Sequence, residues 1–281
     1  MTSAPAWIPA GASPEGAACL AAIAADPGHA LIATDFDGTL APIVSEPSAA
    51  RPDPSVLPAL DRLAAGVGTL AIVTGRPAPA AVELGGFAAI PGLIVIGHHG
   101  FERWEQGRLT SPPPPAGVAK ARALLPQVLA GAPEGTRVED KGHALVVHYR
   151  KTADPQAALA RLAGPLKELA RQTGLDYQPG RMVIELRPLG VDKGTALSEL
   201  IAERDPAAML YAGDDLGDLP AFEAVRAART DGREGVTVCS ASDEVSALAA
   251  HADLVLAGPK EVAALLTALA EALPAPPPPA R

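Results

Sequence analysis

The sequence predicts an α/β protein in which a doubly wound parallel-sheet core carries an inserted α+β cap domain. Three observations lead to this fold class. Short, continuous apolar runs such as residues 30–34 and 208–212 alternate with helical patterns. Between them, residues 136–150 and 175–187 alternate in character, which is typical of antiparallel strands with one wet face. A proline run at residues 112–115 separates the two patterns.

The individual elements follow from the same patterns, and no internal repeat interrupts them. Core strands are predicted at residues 30–34, 68–73, 93–96, 208–212 and 236–238. Helices are predicted over the Ala-rich run from residue 17, over residues 155–173, and after residues 191, 218 and 258.

These elements divide the chain into five segments. We expect a flexible N-terminal tail (1–16), a first part of the core (17–111), the α+β cap domain (112–187), a second part of the core (188–273) and a Pro-rich C-terminal tail (274–281).

Composition excludes several classes of protein. The formal charge of -9 and the lack of a dense Lys/Arg run argue against nucleic acid or an anionic membrane as partner. Cys19 and Cys239 show no metal-site spacing and suggest no disulfide framework, so a reducing cytoplasm fits best. The apolar run at residues 17–25 is too short to span a bilayer and lacks a preceding basic residue, so we predict no signal peptide.

Polar segments stand where the predicted parallel strands end, which is where ligands bind in open α/β sheets. Asp35-Phe36-Asp37-Gly38-Thr39 follows the first strand and Thr74-Gly75-Arg76 the second. Asp192-Lys193-Gly194 precedes a helix, and Gly213-Asp214-Asp215-Leu216-Gly217-Asp218 follows a later strand. Each segment alone also fits an ordinary turn or helix cap. Their joint occurrence in this order favours a catalytic site.

The pair Asp35 and Asp37 suits phosphoryl transfer. At positions i and i+2 of an extended segment, their side chains can project to the same side. One carboxylate can then attack phosphorus while the other handles the proton. Two carboxylates this close cannot both ionise cheaply, so one pKa should rise, as a general acid at neutral pH requires. We assign the nucleophile to Asp35 and the acid to Asp37.

Together the four segments resemble the haloacid dehalogenase superfamily of phosphatases. The resemblance implies a Mg²⁺-dependent phosphomonoester hydrolase with an aspartyl-phosphate intermediate. It implies magnesium ligation by the Asp35 side chain, the Asp37 carbonyl and the Asp214 side chain, with Asp215 or Asp218 in the layer around them. It also implies that Thr74 and Lys193 bind the transferring phosphoryl group, whose developing charge must be stabilised.

The inserted domain resembles the cap of the trehalose-6-phosphate phosphatase family. Its Glu139-Asp140-Lys141, His148-Tyr149-Arg150 and Gly180-to-Pro188 segments carry that likeness, together with Gly97-His98-His99-Gly100 before the insertion. The resemblance implies that trehalose 6-phosphate is the substrate and that Glu139, Lys141, Arg150 and Glu185 bind its distal glucose. Cross-strand ion pairs on a wet sheet face remain the alternative for these four residues.

Several questions stay open at this stage. Gly217 and Leu219 replace the threonine and glutamate that usually end the family's last motif, which puts the surroundings of Asp214 in question. A phosphatase for sucrose phosphate or mannosylglycerate phosphate is a second hypothesis, and a non-catalytic sugar-phosphate sensor is a third. Functional coupling to a trehalose-phosphate synthase is also left open.

Overall fold

The structure, a computed structural model, describes residues 5–180, 182–241 and 247–274. Two compact units divide the chain: Met1–Ser111 with Asp192–Arg281, and Pro112–Val191. The second unit interrupts the first at the proline run, and the chain re-enters the first unit at Asp192 rather than at residue 188. The predicted C-terminal tail lies outside the described residues from position 275 onward.

Strands and α-helices are both found along the described residues. The strands are β1 (Ala30–Thr34), β2 (Thr69–Val73), β3 (Ile94–Gly97), β4 (Glu102–Glu105), β5 (Arg108–Thr110), β6 (Arg137–Asp140), β7 (Leu145–His148), β8 (Leu175–Gly180), β9 (Val183–Pro188), β10 (Ala208–Gly213), β11 (Glu234–Ser240) and β12 (Leu254–Leu256). The helices are α1 (Pro14–Ala25), α2 (Val56–Gly66), α3 (Ala78–Gly85), α4 (Ala116–Val128), α5 (Pro155–Thr173), α6 (Lys193–Arg204), α7 (Leu219–Thr230) and α8 (Pro259–Ala272).

A mixed sheet organises the first unit, in the order β12-β11-β10-β1-β2-β3-β4-β5. The strands from β12 to β3 are parallel, and each residue of β1 is buried. Successive β1 residues face opposite layers: Ile32 joins the cluster with α1, α2, α3 and α8, whereas Leu31 joins the one with α6 and α7. Burial on both faces explains the continuous apolar runs and confirms the predicted fold class.

The strand order places a crevice at the centre of this sheet. β1 pairs with β2 on one side and with β10 on the other, so the connections leave β1 in two directions. Side chains that follow β1 and β10 therefore meet at the carboxyl edge, where open α/β sheets bind ligands.

Residues 5–16, the described part of the predicted N-terminal tail, contact the core of the first unit. Ile8 is 8% exposed and belongs to the core of the first unit. The Ser13 N–H donates to the carbonyl of Asp253 at 2.7 Å, and the Ser13 hydroxyl caps α1, which begins at Pro14. Trp7 and Ile8 stand among prolines, glycines and alanines without a periodic pattern, which is why the sequence did not indicate this packing.

The hairpin of β4 and β5 adds an antiparallel edge that the sequence analysis did not predict. Gln106 and Gly107 connect the strands and both have positive φ, at 52° and 77°. Two such residues match the tight turn that suits the twist of a hairpin. The hairpin is short and largely polar, so it lacked the apolar run used to recognise the other strands.

The second unit is a four-stranded antiparallel sheet in the order β6-β7-β9-β8, with α4 and α5 packed on one face. It matches the antiparallel strands with one wet face predicted from the alternating segments. The Asp154 side chain caps α5 by accepting the N–H groups of Gln156 and Ala157, and Gly174 ends it with φ 68°. These caps explain why the helix coincides with the predicted residues 155–173.

None of the helices in the described ranges combines the length and the apolarity that crossing a bilayer requires.

We expect the core of the first unit to be sensitive to truncation at β2. Leu70 is 2% exposed, whereas Leu109 on β5 of the same sheet is 43% exposed. Leu70→Ala should lower the free energy of unfolding by about 2–5 kcal/mol, because it removes buried methyl groups and leaves a cavity. Leu109→Ala, the matched control, should change it by less than about 1 kcal/mol. Urea denaturation measures both, and equal losses would contradict the packing described here.

Candidate active site

One cavity of about 450 Å³ opens at the carboxyl ends of β1, β2 and β10. All four polar segments identified in the sequence contribute to its wall, with Asp35, Asp37, Thr74, Lys193, Asp214 and Asp215. The remaining lining residues are Ile43, Val44, Pro47, Gly75, Arg76, His99 and Gly217. The core residues expected to meet at this edge are therefore brought together, with Asp218 buried beside them.

Asp35 occupies the position directly after β1 and is 5% exposed. Its N–H donates to the carbonyl of Ala212 at 2.8 Å, and its carboxylate lies 3.0 Å from Nζ of Lys193. Burial raises the pKa of Asp35, Lys193 lowers it and Asp218 raises it, with a net rise. The largest cause of this rise is burial of the Asp35 carboxylate.

Gly38 brings the loop after β1 against the loop after β10. Its φ is +75°, and a Cβ built there would lie 2.0 Å from Oδ2 of Asp214. The Gly38 carbonyl accepts the Ser240 hydroxyl at 2.6 Å, which fixes the same loop from β11. Position 38 therefore requires glycine both for its left-handed backbone and for the space that the Asp214 carboxylate fills.

Lys193 is a buried cation at the first position of α6, 4% exposed. The Asp192 side chain caps that helix by accepting the N–H of Thr195 at 2.8 Å. Nζ lies 2.8 Å from Asp218 and 3.0 Å from Asp35. Burial alone would lower the pKa of Lys193, but the charges of Asp218 and Asp35 outweigh it and raise the pKa above its ordinary value. The lysine is therefore charged.

Asp218 is fully buried and holds the surrounding groups in place. Its Oδ1 accepts hydrogen bonds from Lys193 Nζ at 2.8 Å and from the Tyr211 hydroxyl at 2.7 Å. Its Oδ2 accepts the N–H groups of Asp214 at 3.1 Å and Asp215 at 3.3 Å. Four donors occupy this carboxylate, which suits it better to orienting Asp214 than to binding a ligand itself.

Asp35, Asp214 and Asp218 form an acidic cluster whose carboxylate oxygens lie within 4.8 Å of one another. Burial raises the pKa of Asp214, and the charges of Asp35 and Asp218 raise it further. Such mutual repulsion between buried carboxylates is what a bound divalent cation relieves. The residues present therefore fit a hard cation with oxygen ligands, as the sequence analysis expected.

Hydrogen bonds within the loop after β10 hold its conformation, although Gly217 and Leu219 replace the threonine and glutamate usual in this motif. The Gly217 N–H donates to Oδ1 of Asp215 at 2.8 Å, and Asp215 and Asp218 form a reciprocal capping box. Leu219 begins α7 and packs against the core. Hydrogen bonds within the loop thus hold Asp214, although threonine and glutamate are missing from the motif.

Arg76 is a cavity residue whose role the sequence analysis missed. Its Nε and Nη2 each donate to one oxygen of the Asp37 carboxylate, both at 2.6 Å. The signal was present, because Arg76 belongs to the Thr74-Gly75-Arg76 segment. A guanidinium beside paired carboxylates suggests a fork-shaped contact, but no pattern in the chain indicates which aspartate it binds.

Thr74 and His99 stand on neighbouring parts of the cavity wall. Thr74 is 1% exposed and accepts the Arg76 N–H at 3.2 Å through its hydroxyl oxygen. The His99 N–H donates to the Thr74 carbonyl at 2.9 Å, and a Cβ at Gly75 would lie 2.7 Å from the His99 ring. In the sequence, His99 is recognisable only as part of the segment before the insertion, and its position at the cavity could not be predicted.

The second unit contains the four residues predicted to bind sugar. Glu139, Val146 and Glu185 lie opposite one another on β6, β7 and β9, so both glutamates share one face of the sheet. Lys141 Nζ lies 2.9 Å from Glu185, and Glu139 lies 2.8 Å from Nε2 of His148. Arg150 is exposed in the turn after β7. The sheet thus brings Glu139, Lys141 and Glu185 together, whereas Arg150 lies in the turn that follows β7.

Comparison with known proteins identifies this architecture. A solved haloacid dehalogenase-like hydrolase from Bacteroides thetaiotaomicron has the same fold, with a TM-score of 0.55 at 18% identity, covering 85% of this chain and 98% of its own. Aspergillus fumigatus trehalose-6-phosphate phosphatase superposes with a TM-score of 0.72 at 25% identity, covering 90% of this chain and 97% of its own. These likenesses show the fold of the chain, an α/β core of the kind found in a haloacid dehalogenase-like hydrolase.

A sequence model described as trehalose-phosphatase matches residues 33–260. The chain therefore belongs to the trehalose-phosphatase family. The Mycobacterium marinum trehalose-phosphate phosphatase is 33% identical over 255 residues, covering 85% of this chain and 61% of the relative. A probable trehalose-phosphate phosphatase of Sinorhizobium fredii is 32% identical over 212 residues, covering 73% and 77%. The chain thus spans about three fifths of the Mycobacterium marinum relative.

Removal of the buried Lys193 ammonium should lower the free energy of unfolding of the first unit by an amount that depends on pH. Without divalent cations at pH 8, Lys193→Met should lower the free energy of unfolding by about 3–5 kcal/mol, because buried carboxylates lose their partner. The pKa values of Asp35 and Asp214, which burial already raises, then rise further, so protonation favours the folded state and the loss shrinks toward pH 5.

Urea denaturation at the two pH values measures this difference. Lys120→Met, on the exposed surface of α4, is the matched control and should change the free energy of unfolding by less than about 0.5 kcal/mol. A loss that is the same at pH 5 and pH 8 would contradict the assigned role of Lys193.

Proposed function

We propose that this protein hydrolyses trehalose 6-phosphate to trehalose and inorganic phosphate through an aspartyl-phosphate at Asp35. One observation carries the proposal: Asp35, Thr74 and Lys193 share a cavity in a chain that the trehalose-phosphatase model matches over residues 33–260. That arrangement supplies a nucleophile, a hydroxyl donor and a cation at one place.

In the first step, a carboxylate oxygen of Asp35 attacks phosphorus. The new O–P bond forms as the bond between phosphorus and the sugar oxygen breaks, and Asp37 gives a proton to that departing oxygen. The aspartyl-phosphate and free trehalose result. Asp37 lines the same cavity as Asp35, which supports this assignment.

In the second step, water attacks the phosphorus of the aspartyl-phosphate. Asp37, now a carboxylate, takes a proton from that water, and the bond between Asp35 and phosphorus breaks. Inorganic phosphate leaves, and Asp35 and Asp37 return to their starting states. Because one residue acts as acid and then as base, its orientation matters in both steps.

The phosphoryl oxygens need donors that are in place before the reaction. The Thr74 hydroxyl would donate a hydrogen bond, and the Lys193 ammonium would supply positive charge. Lys193 is held between Asp35 and Asp218, at 3.0 and 2.8 Å, so it would meet the phosphate with little loss of conformational freedom.

We propose Mg²⁺ as the cofactor. The Asp35 and Asp214 side chains and the Asp37 carbonyl would hold it, with Asp215 and Asp218 fixing the loop around Asp214. When bound, the cation would offset the repulsion between the anionic nucleophile and a phosphomonoester dianion. The acidic cluster and the raised pKa of Asp214, caused by burial and by neighbouring carboxylates, support this assignment.

We propose that residues 112–187 serve as a cap that recognises the sugar, with Glu139, Lys141, Arg150 and Glu185 binding the hydroxyl groups of the distal glucose. Sugar hydroxyls both donate and accept hydrogen bonds, so paired acidic and basic side chains can satisfy them. The strand register that places Glu139 and Glu185 on the same face of the sheet supports this role.

We also propose that the protein acts in the cytoplasm. Both cysteines are free and buried, which suits the reducing conditions of the cytoplasm. Trehalose 6-phosphate is the product of a trehalose-phosphate synthase, so functional coupling to such an enzyme would supply the substrate.

We expect the purified protein with Mg²⁺ to release phosphate from trehalose 6-phosphate with a kcat/KM at least about 10-fold above that for glucose 6-phosphate. Chelation should abolish the release. Asp35→Asn should lower kcat by about 10³-fold or more, because the nucleophile is lost. A phosphate-release assay measures all three.

Asp26→Asn, an exposed carboxylate outside the cavity wall, is the control and should retain full activity. Comparable rates on sucrose phosphate or mannosylglycerate phosphate would contradict the specificity. Binding without turnover would indicate a sugar-phosphate sensor, and full activity of Asp35→Asn would refute the mechanism.

We expect Glu185→Gln to discriminate the two sugars. It should lower kcat/KM for trehalose 6-phosphate by about 10- to 100-fold, since a hydrogen bond to a charged group contributes about 1.5–3 kcal/mol. The kcat/KM for glucose 6-phosphate should not change, because that substrate has no distal glucose. Glu168→Gln on the exposed surface of α5 is the matched control. Equal losses on both substrates would indicate a structural ion pair instead.

A further inference from the structure

The Asp37 carboxylate is held by a two-pronged hydrogen bond. Arg76 Nε donates to Oδ2 and Nη2 to Oδ1, both at 2.6 Å. The Asp37 side chain is 36% exposed, so without this contact it would be free to sample other rotamers. A planar fork that engages both oxygens fixes the position and the plane of a carboxylate, which a single point charge cannot do.

Arg76 is itself fixed by contacts from three sides. Its guanidinium lies 5.5 Å from the centre of the Phe36 ring, and Phe36 is fully buried in an edge-to-face contact with Phe87. The Arg76 N–H donates to the Thr74 hydroxyl oxygen at 3.2 Å, and its carbonyl accepts the His98 N–H at 2.8 Å. The side chain is therefore prepositioned by the core and by the loop that follows β2.

The two cations of the cavity wall engage different aspartates. Lys193 contacts Asp35, while Arg76 contacts Asp37. The proposed nucleophile and the proposed acid thus each have a separate basic partner. Each of the two carboxylates is therefore oriented by a different basic side chain.

We infer that Arg76 is a positioning residue for the reaction, which orients the Asp37 carboxylate for its proton transfers to the departing sugar oxygen and from the attacking water. The inference rests on the proposed phosphatase function and adds a residue to it. Arg76 acts through Asp37, so its loss should slow turnover without weakening the binding of the phosphoryl group.

The test compares Arg76→Met and Arg76→Lys with the wild type. Arg76→Met should lower kcat by about 10- to 100-fold, because a misplaced acid forfeits part of its usual contribution of about 10²- to 10⁴-fold. KM, and the Kd for inorganic phosphate measured by calorimetry with Mg²⁺, should each change by less than about 3-fold, as expected of a group that does not bind phosphate. Arg76→Lys should stay at least about 5-fold below the wild type, because an ammonium cannot form the fork.

Arg103→Met is the matched control. Arg103 is an ion-paired arginine of β4 that does not belong to the cavity wall, and its loss should leave kcat unchanged. Thermal unfolding checks that each variant folds, and Arg76→Lys, which keeps the charge and most of the volume, provides the comparison if Arg76→Met unfolds.

Three results would overturn the inference. A Kd for inorganic phosphate weakened by about 10-fold or more would make Arg76 a phosphate ligand instead. Full recovery in Arg76→Lys would show that charge alone matters, and an unchanged kcat in both variants would remove the positioning role. A wild-type protein that binds phosphate but hydrolyses no phosphomonoester would instead refute the proposed function, and this inference with it.

Discussion

The buried ion pairs that join Asp35, Lys193 and Asp218 are the constraint on which the site depends. Burying one ammonium costs several kcal/mol unless its charge is met, and here two carboxylates meet it at 2.8 and 3.0 Å. These contacts tie the end of β1 to the start of α6 and to the loop after β10. Asp35, Lys193 and the loop that carries Asp214 therefore cannot shift independently, which is the preorganisation that the proposed phosphoryl transfer requires.

A second constraint is the close approach of backbone to carboxylate at Gly38. The space of one absent Cβ lets Asp214 lie directly against the segment that carries Asp35 and Asp37. The loop after β10 needs no threonine or glutamate to hold this arrangement, because Asp218 receives four hydrogen bonds and Asp215 closes the turn. The departure at Gly217 and Leu219 thus alters the sequence of the motif more than the placement of Asp214.

Much of this arrangement could be predicted from the sequence, for identifiable reasons. β1 is buried on both faces and reads as a continuous apolar run, and polar residues directly after such a strand must lie at the carboxyl edge. The contact of Arg76 with Asp37 could not be predicted, because it depends on a side-chain conformation and on which of several neighbouring carboxylates is nearest. Ile8 packs into the core from a segment without periodicity, and Ser13 caps a helix whose start lies among prolines.

The pairing of Ala30 with Ala208 has a consequence for how the molecule folds. The central strand β1 is made early, but its neighbour β10 follows only after the whole second unit has been synthesised. Until then one edge of β1 is unpaired. Long-range pairing of this kind is slow, because the chain loses the entropy of closing the intervening loop before the stabilising contacts form. The second unit contains its own local hairpins and can form first. During synthesis, the four-stranded sheet of the second unit can therefore form before β1 meets β10, and until then the open edge of β1 is exposed to wrong pairing.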